Sequence, residues 1–352
     1  MSNWSENRKT PLWRWRIALF ATVFAAAGCA TPGTMLESAP EVSVASVGAV
    51  LHNPVWSYRM HALIGLTDDG RLAEVIDPLG GRPTTRSSSP MAAGRNLQIS
   101  RKDDRHIFVP QPQRGKVAVI DLDTLREVDE FDAGPAPAFV SEDSGMRMLL
   151  ALSADGSSVT PVDEYGFRAL PTAKIAGHPS DILDGANRGR EIEYHIYGSS
   201  GIRYYKGSVS PPEQHGSLPM DVASSAGDGT AVSRSYVARR DGDVLYAVDS
   251  QRGGEGLTVL ASTKLPSLIR RISTDDTRIY AATEREVVAL ETNDVTGYPH
   301  GTIPVLRITN YRTSLPEAQR AAPLSGMALG PHRVYLTFAG TPLVVSVAKP
   351  SL

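Results

Sequence analysis

Residues Gly115-Lys116-Val117-Ala118-Val119-Ile120-Asp121 make a glycine turn followed by a short apolar run that stops at an acid. Four other short apolar runs also end in an acid: Leu72 to Asp77, Val159 to Asp163, Val244 to Asp249 and Val287 to Glu291. The terminal acids stand 44, 42, 86 and 42 residues apart, and 86 is two steps of 43. A second series of alternating segments surrounds Ile64, Ile107, Leu149, Tyr194, Val237, Ile279 and Val334. Its intervals are 43, 42, 45, 43, 42 and 55 residues, so the chain carries seven units. Short strands repeated at a period of about 40 to 50 residues are the signature of a β-propeller. The expected fold is all-β: seven blades, each a four-stranded antiparallel sheet.

Polar turns precede several of these segments. Ser100 to Arg105, Ser141 to Arg147 and Ser273 to Arg278 all carry Ser, then Asp, then Arg. Asp and Ser side chains bond nearby backbone amides and favour tight reversals, so each unit reads as a meander. In the second unit the expected strands, from the axis outward, are Asn96 to Ser100, Arg105 to Val109, Lys116 to Asp121 and Arg126 to Phe131. Gly198-Ser199-Ser200-Gly201 reads as a hairpin turn between Glu191 to Tyr197 and Ile202 to Tyr205, not as a serine nucleophile.

The stretch from Ile107 and Val109 through the Gly115 turn to the Val117-Ala118-Val119-Ile120-Asp121 strand resembles the YVTN family of propeller repeats. The resemblance extends from about residue 50 to the C-terminus. It is clearest in the second, fifth and sixth units, and the fourth departs from it, with Lys206 where the others have an acid. It implies the fold, and the family's activities are too varied to imply more.

The last unit supplies only three strands, Leu324 to Leu329, His332 to Phe338 and Pro342 to Val347. The alternating stretch Glu41 to Val47 is the expected fourth, closing the ring from the N-terminal side and removing an open sheet edge. With 31 glycines and 25 prolines in 352 residues, one large turn-rich β domain is expected over residues 41–352. Only Ser314 to Ala322, with Pro316 near its start, reads as a helix.

Residues 1–28 have the form of a bacterial export signal. Arg8, Lys9, Arg14 and Arg16 precede the apolar run Ile17 to Ala27, which is too short to span a bilayer. The run ends at Ala26-Ala27-Gly28-Cys29, which resembles a lipobox and implies cleavage before Cys29 and lipidation of its sulfur. Cys29 is the only cysteine in the chain, a sensible use of a thiol outside the cytoplasm. Residues 29–40, with Pro32, Gly33, Ser38 and Pro40, then form a flexible tether. Stable anchoring needs more than one acyl chain on that cysteine. The expected location is the outer face of the cytoplasmic membrane or the outer membrane.

Without residues 1–28 the chain has 32 basic and 37 acidic residues, a balance of −5. Its basic groupings are short and scattered, so a nucleic-acid partner is not expected. No zinc-protease helix, phosphate loop or nucleophile elbow is present, and an enzyme is not the leading expectation. Eight histidines are the candidates for a divalent metal such as zinc. None are locally spaced as ligands, so a site would draw on different blades, with His52, His178 and His215 first to test. Such a site would suit a metal-binding accessory of a transporter. A lactonase-like metal-dependent hydrolase is the third reading, but the paired acids Asp68-Asp69, Asp103-Asp104 and Asp275-Asp276 all fall in expected turns. Only Trp56 lies beyond the signal, a poor platform for stacking sugars or quinones. Tyr194, Tyr197, Tyr204 and Tyr205 cluster in the fourth unit and are expected to pack between blades.

The main irregularity is the connection Thr292 to Pro323, which stretches one interval to 55 residues. Loops on a rigid scaffold concentrate binding surfaces. Tyr298, His300, Tyr311 and Arg312 are therefore the expected contacts with an envelope protein, a transporter component or a solute, and Gly80 to Arg95 is a second such linker. The reading as a whole is a lipid-anchored binding or scaffold module with no resident cofactor.

Overall fold

The computed structural model describes residues 40–79, 82–250 and 256–351. The expected signal and lipidation site, Cys29 included, lie outside the described residues. Seven antiparallel sheets follow one another along the chain as meanders, and in the third the outermost place is shared by two short strands, Arg168–Ala169 and Ala173–Lys174, which both pair with Ser158–Asp163. Blade one is His52–Ser57, Ala62–Leu66, Leu72–Ile76 and Thr84–Ser87, and blade two is Gln98–Ile99, His106–Gln111, Lys116–Asp121 and Arg126–Asp132. The step then repeats, with inner strands at Pro137–Asp143, Ile182–Gly185, Val222–Gly227, Ile269–Thr274 and Leu324–Leu329. The seventh blade takes its outermost strand from the N-terminal side: Val42–Ser46 pairs antiparallel with Thr341–Ala348, Val42 opposite Val347 and Ser46 opposite Leu343. The fold is a seven-bladed propeller of four-stranded blades, closed as its sequence leads one to expect.

Local chemistry explains the repeat. The acid ending the third strand of blade two turns the chain: Asp121 Oδ1 accepts from Thr124 N (2.9 Å) and Oγ1 (2.8 Å). The reversals between first and second strands are built the same way, with Asp228 accepting from Thr230 N (2.8 Å) and Asp275 from Arg278 N (2.9 Å). These are the short-range bonds that make aspartate a turn residue. In the fourth blade Gly198 and Gly201 face each other across the expected hairpin, and Gly201 has φ 142°, a conformation that glycine alone adopts readily.

Third strands are apolar on both sides because they are buried between neighbouring blades. The buried side chains form seven clusters, one per seam. The seam between blades seven and one stacks Trp56 on Tyr335, ring centroids 4.8 Å apart. Near the axis every seam also has a side-chain hydrogen bond. Asn53 donates to Arg95 O (2.6 Å), Asn96 to Val140 O (2.7 Å) and Ser225 to Asp184 (2.8 Å). Ser141 accepts from Gly185 N (2.9 Å), Thr274 donates to Gly227 O (2.6 Å), Arg271 to Ser325 O (3.4 Å), and Ser325 to Leu51 O (2.6 Å). The four clustered tyrosines of the fourth unit are core: Tyr194 stacks on Tyr205 at 5.1 Å, and all four are buried.

Three expectations need correction. Ser314 to Ala322 is not an α-helix: it holds single 3₁₀ turns at Arg312–Ser314 and Glu317–Gln319, because Pro316 cannot donate within a continuing helix. The connection Thr292 to Pro323 is not one loop, since Val305–Asn310 is the outermost strand of blade six, paired with Glu286–Glu291. Gly80 to Arg95 likewise contains Thr84–Ser87, the outermost strand of blade one. Outermost strands are packed on one side only, so they lack the apolar run that marks third strands.

Candidate interaction face

In a meander of this kind the first-to-second and third-to-fourth reversals open on one face of the disc, and the remaining connections on the other. The expected partner loop is divided by this rule. Tyr298 and His300 lie in the third-to-fourth connection of blade six, on the first face, whereas Tyr311 and Arg312 lie in the link to blade seven, on the second. Tyr311 is buried and its hydroxyl donates to Thr283 O (2.8 Å). Arg312 donates to Glu284 O (2.7 Å) and Ala322 O (2.6 Å), fastening the link between the two blades. Tyr298 packs against the seam between blades five and six and donates to the hydroxyl of Tyr236 (2.9 Å). His300 is exposed, with its backbone in the left-handed region at φ 57°.

The candidate metal ligands are also dispersed. His52, at the start of an inner strand, sits 2.5 Å from Asp68. His178 is exposed in the link between blades three and four, where its carbonyl accepts from Arg203 (2.5 Å). His215 is exposed on the outermost strand of blade four. Among the described residues no three His, Cys, Asp or Glu side chains converge on one point.

What the first face does assemble is a set of charged and aromatic groups that spans several blades. Arg59 donates from its backbone to Asp104 (2.7 Å) and from its guanidinium to Asp123 (2.9 Å). Arg101 bonds Ser144 in the next blade and Asn187 two blades away, Arg188 reaches Asp276 at 3.2 Å, and Lys349 reaches Asp275 at 3.1 Å. Tyr58, 57% exposed, stands in the first reversal of blade one. Its hydroxyl is held above its ordinary value, first by desolvation and then by the carboxylates of Asp275 and Asp104. Tyr165, 71% exposed, stands in the last reversal of blade three with Lys102 Nζ 4.9 Å from its ring centre.

Beneath this face lie acids that burial keeps from ionising easily. The Glu142 carboxyl is pushed up to about 7 by burial, although the backbone of Arg101 donates to it at 3.1 Å. Asp143 is pushed up to about 6 by the same cause. His195 is the opposite case: buried against Tyr204 with ring centroids 4.7 Å apart, it is pushed down to about 4 and stays neutral. Reading the sequence by motif passed over Tyr58 and Tyr165, since a lone tyrosine in a turn has no spacing to mark it. Position in the repeat does mark both, because they occupy reversals on the same face.

No protein-family model matches the chain, and no curated protein matches it. Solved structures do. It is similar to U3-55K, with a TM-score of 0.64 at 11% identity over 88% of this chain and 98% of that one. It is similar to a chain of a mitotic checkpoint complex, at 0.65 and 9% identity over 98% and 100%. The WD40 repeats of RRP9 give 0.64 and 11% over 88% and 97%. Identities this low speak for the fold alone, and what they share with this chain is the propeller architecture.

Proposed function

We propose that this chain is an exported, lipid-anchored propeller of the YVTN type that uses its first face to bind another envelope protein. The observation that supports a binding role most directly is how the polar groups are distributed. Those at the axis are used in bonds between blades, whereas Tyr58, Tyr165 and His300 stand exposed on one face. Exposed tyrosines beside charged groups are common anchors of protein interfaces. The anchor is Cys29, and the closing strand Val42–Ser46 begins close behind it in sequence, so the ring is attached to lipid at the point where it is sealed.

Two measurements test this reading. Labelled palmitate should enter the wild-type protein and not Cys29→Ser, which should leave the membrane fraction. In a cross-linking pull-down from envelopes, Tyr58→Ala and Tyr165→Ala should each weaken capture of the partner by about tenfold or more, the usual scale of an interface anchor. His300→Gly suits the left-handed backbone and removes only the imidazole, so it separates loss of a contact from loss of fold. Unchanged capture by all three would defeat the assignment of the face.

A further inference from the structure

Six of the exposed aliphatic side chains share one sector of the rim. Val259 and Leu260 come from the outermost strand of blade five, Leu257–Lys264, and Val295 from the short helix Asn293–Thr296. Val305, Leu306 and Ile308 come from the outermost strand of blade six, and all six are between 39% and 51% exposed. Among the described residues the remaining exposed large apolar side chains, Tyr58, Val128, Tyr165 and Val209, stand singly in four other blades. The connection 299–304 joins the two strands into one surface. Thr302 bridges to Ser262 in parallel, and Thr263 Oγ1 donates to Ile303 O at 2.8 Å.

The tether reaches the disc at the same place. Glu41, one residue before the closing strand, accepts from Arg307 and from Thr309 Oγ1 (2.8 Å), both on the outermost strand of blade six. From Cys29 to Pro40 is eleven residues, which span no more than about 40 Å when fully extended. A short tether gives the rim beside its attachment point the highest effective concentration at the surface that holds its other end. Aliphatic groups gathered at that point match the lipid boundary, where buried apolar area supplies the binding energy.

We propose that the aliphatic rim of blades five and six is the surface on which the disc rests against the membrane that holds its anchor. The inference depends on the lipidation of Cys29. It turns blades one to three, with Tyr58 and Tyr165, away from the bilayer.

The lipidated mature chain has no free thiol, so a single reporter can be placed at will. An environment-sensitive fluorophore is attached at Leu306→Cys in the sector, or at Val128→Cys on the outermost strand of blade two across the disc. The full lipidated chain is held on vesicles of phosphatidylethanolamine and phosphatidylglycerol that carry a headgroup nitroxide. The fluorophore at position 306 should shift to the blue and be quenched several-fold more strongly than the one at 128, and adding Val305→Ser with Ile308→Ser should remove the difference. Val259→Cys repeats the measurement if the label at 306 disturbs blade six. A parallel arm holds chain 29–352, with Cys29→Ser and six N-terminal histidines, on nickel-chelating lipid in the same vesicles. If the native chain fails to float with vesicles, the anchor reading is lost, and the chelated arm still decides the orientation by the same two reporters. Equal quenching at 306 and 128 overturns the proposal. So does burial of the label at 306 in the absence of vesicles together with a doubled mass by light scattering, which would give the sector to a second copy.

Discussion

Blades six and seven both obtain their outermost strand from a distance, but in different ways. Blade six makes a detour of 13 residues, 292–304, before Val305–Asn310 returns to its sheet. Blade seven takes Val42–Ser46 from the other end of the ring, so its sheet exists only when the two chain ends meet. The first device costs a short loop, whose closure entropy is small. The second closes a loop of about 300 residues, and because that entropy grows only logarithmically, a single five-residue strand can hold it. The same geometry carries opposite burdens: removing the strand of blade six damages one blade, and removing that of blade seven opens the ring.

The largest expected effect tests this asymmetry directly. A chain lacking residues 41–47 should lose about 5 kcal/mol or more by denaturant titration, through the lost ladder and the exposed Val345 and Val347, which pack in the seam between blades six and seven. An equally stable truncated chain would show that the joint is dispensable.

A change remote from both blades should leave the joint alone. Because burial raises the Glu142 carboxyl from 4.5 to about 7, its contribution to stability is whole below pH 4.5 and is lost as pH rises through about 7. Glu142→Gln does not ionise, so it should be more stable than wild type at pH 8 by about 3 kcal/mol and nearly equal to it at pH 4.5. His195 sets the opposite limb, losing its contribution as pH falls from 6.5 through about 4. Amide exchange of Val42–Ser46 under native conditions should be the same in both proteins at pH 8, where their stabilities differ, and a difference would mean that the seams and the joint open as one unit.

The smallest effect concerns the ion pair that links the two blades. Glu41 is held below its ordinary value, first by the hydrogen bond from Arg307 and then by that from Thr309. Both partners are substantially exposed, so Arg307→Ala should cost less than about 1 kcal/mol at low salt and less again in high salt. Faster amide exchange confined to Val42–Ser46 would identify the pair as a latch on the joint.

Five of the seven third strands were legible in the sequence because they are short apolar runs that end in an acid, as Val117 to Asp121 does, and those of blades four and seven only through the spacing of the repeat. The closing strand was legible by elimination, since one blade lacked a member. Val305–Asn310 and Thr84–Ser87 were not, because a strand packed on one side only resembles a polar connection. The helix expected at Ser314 to Ala322 failed on Pro316. Of the expected partner residues, Tyr298 and His300 share a face with Tyr58 and Tyr165, whereas Tyr311 and Arg312 are occupied between blades. Which face a turn opens on is set by strand parity, and parity can be counted only once every outer strand is placed.

Val42–Ser46 is the first part of the ring to be synthesised, and its partner Thr341–Ala348 is nearly the last. No shortened product can therefore complete the circle, and any chain ending before residue 341 keeps a bare strand edge. The joint thus acts as a proofreading step on the whole polypeptide: full-length molecules are sealed, and incomplete ones are left open to proteases.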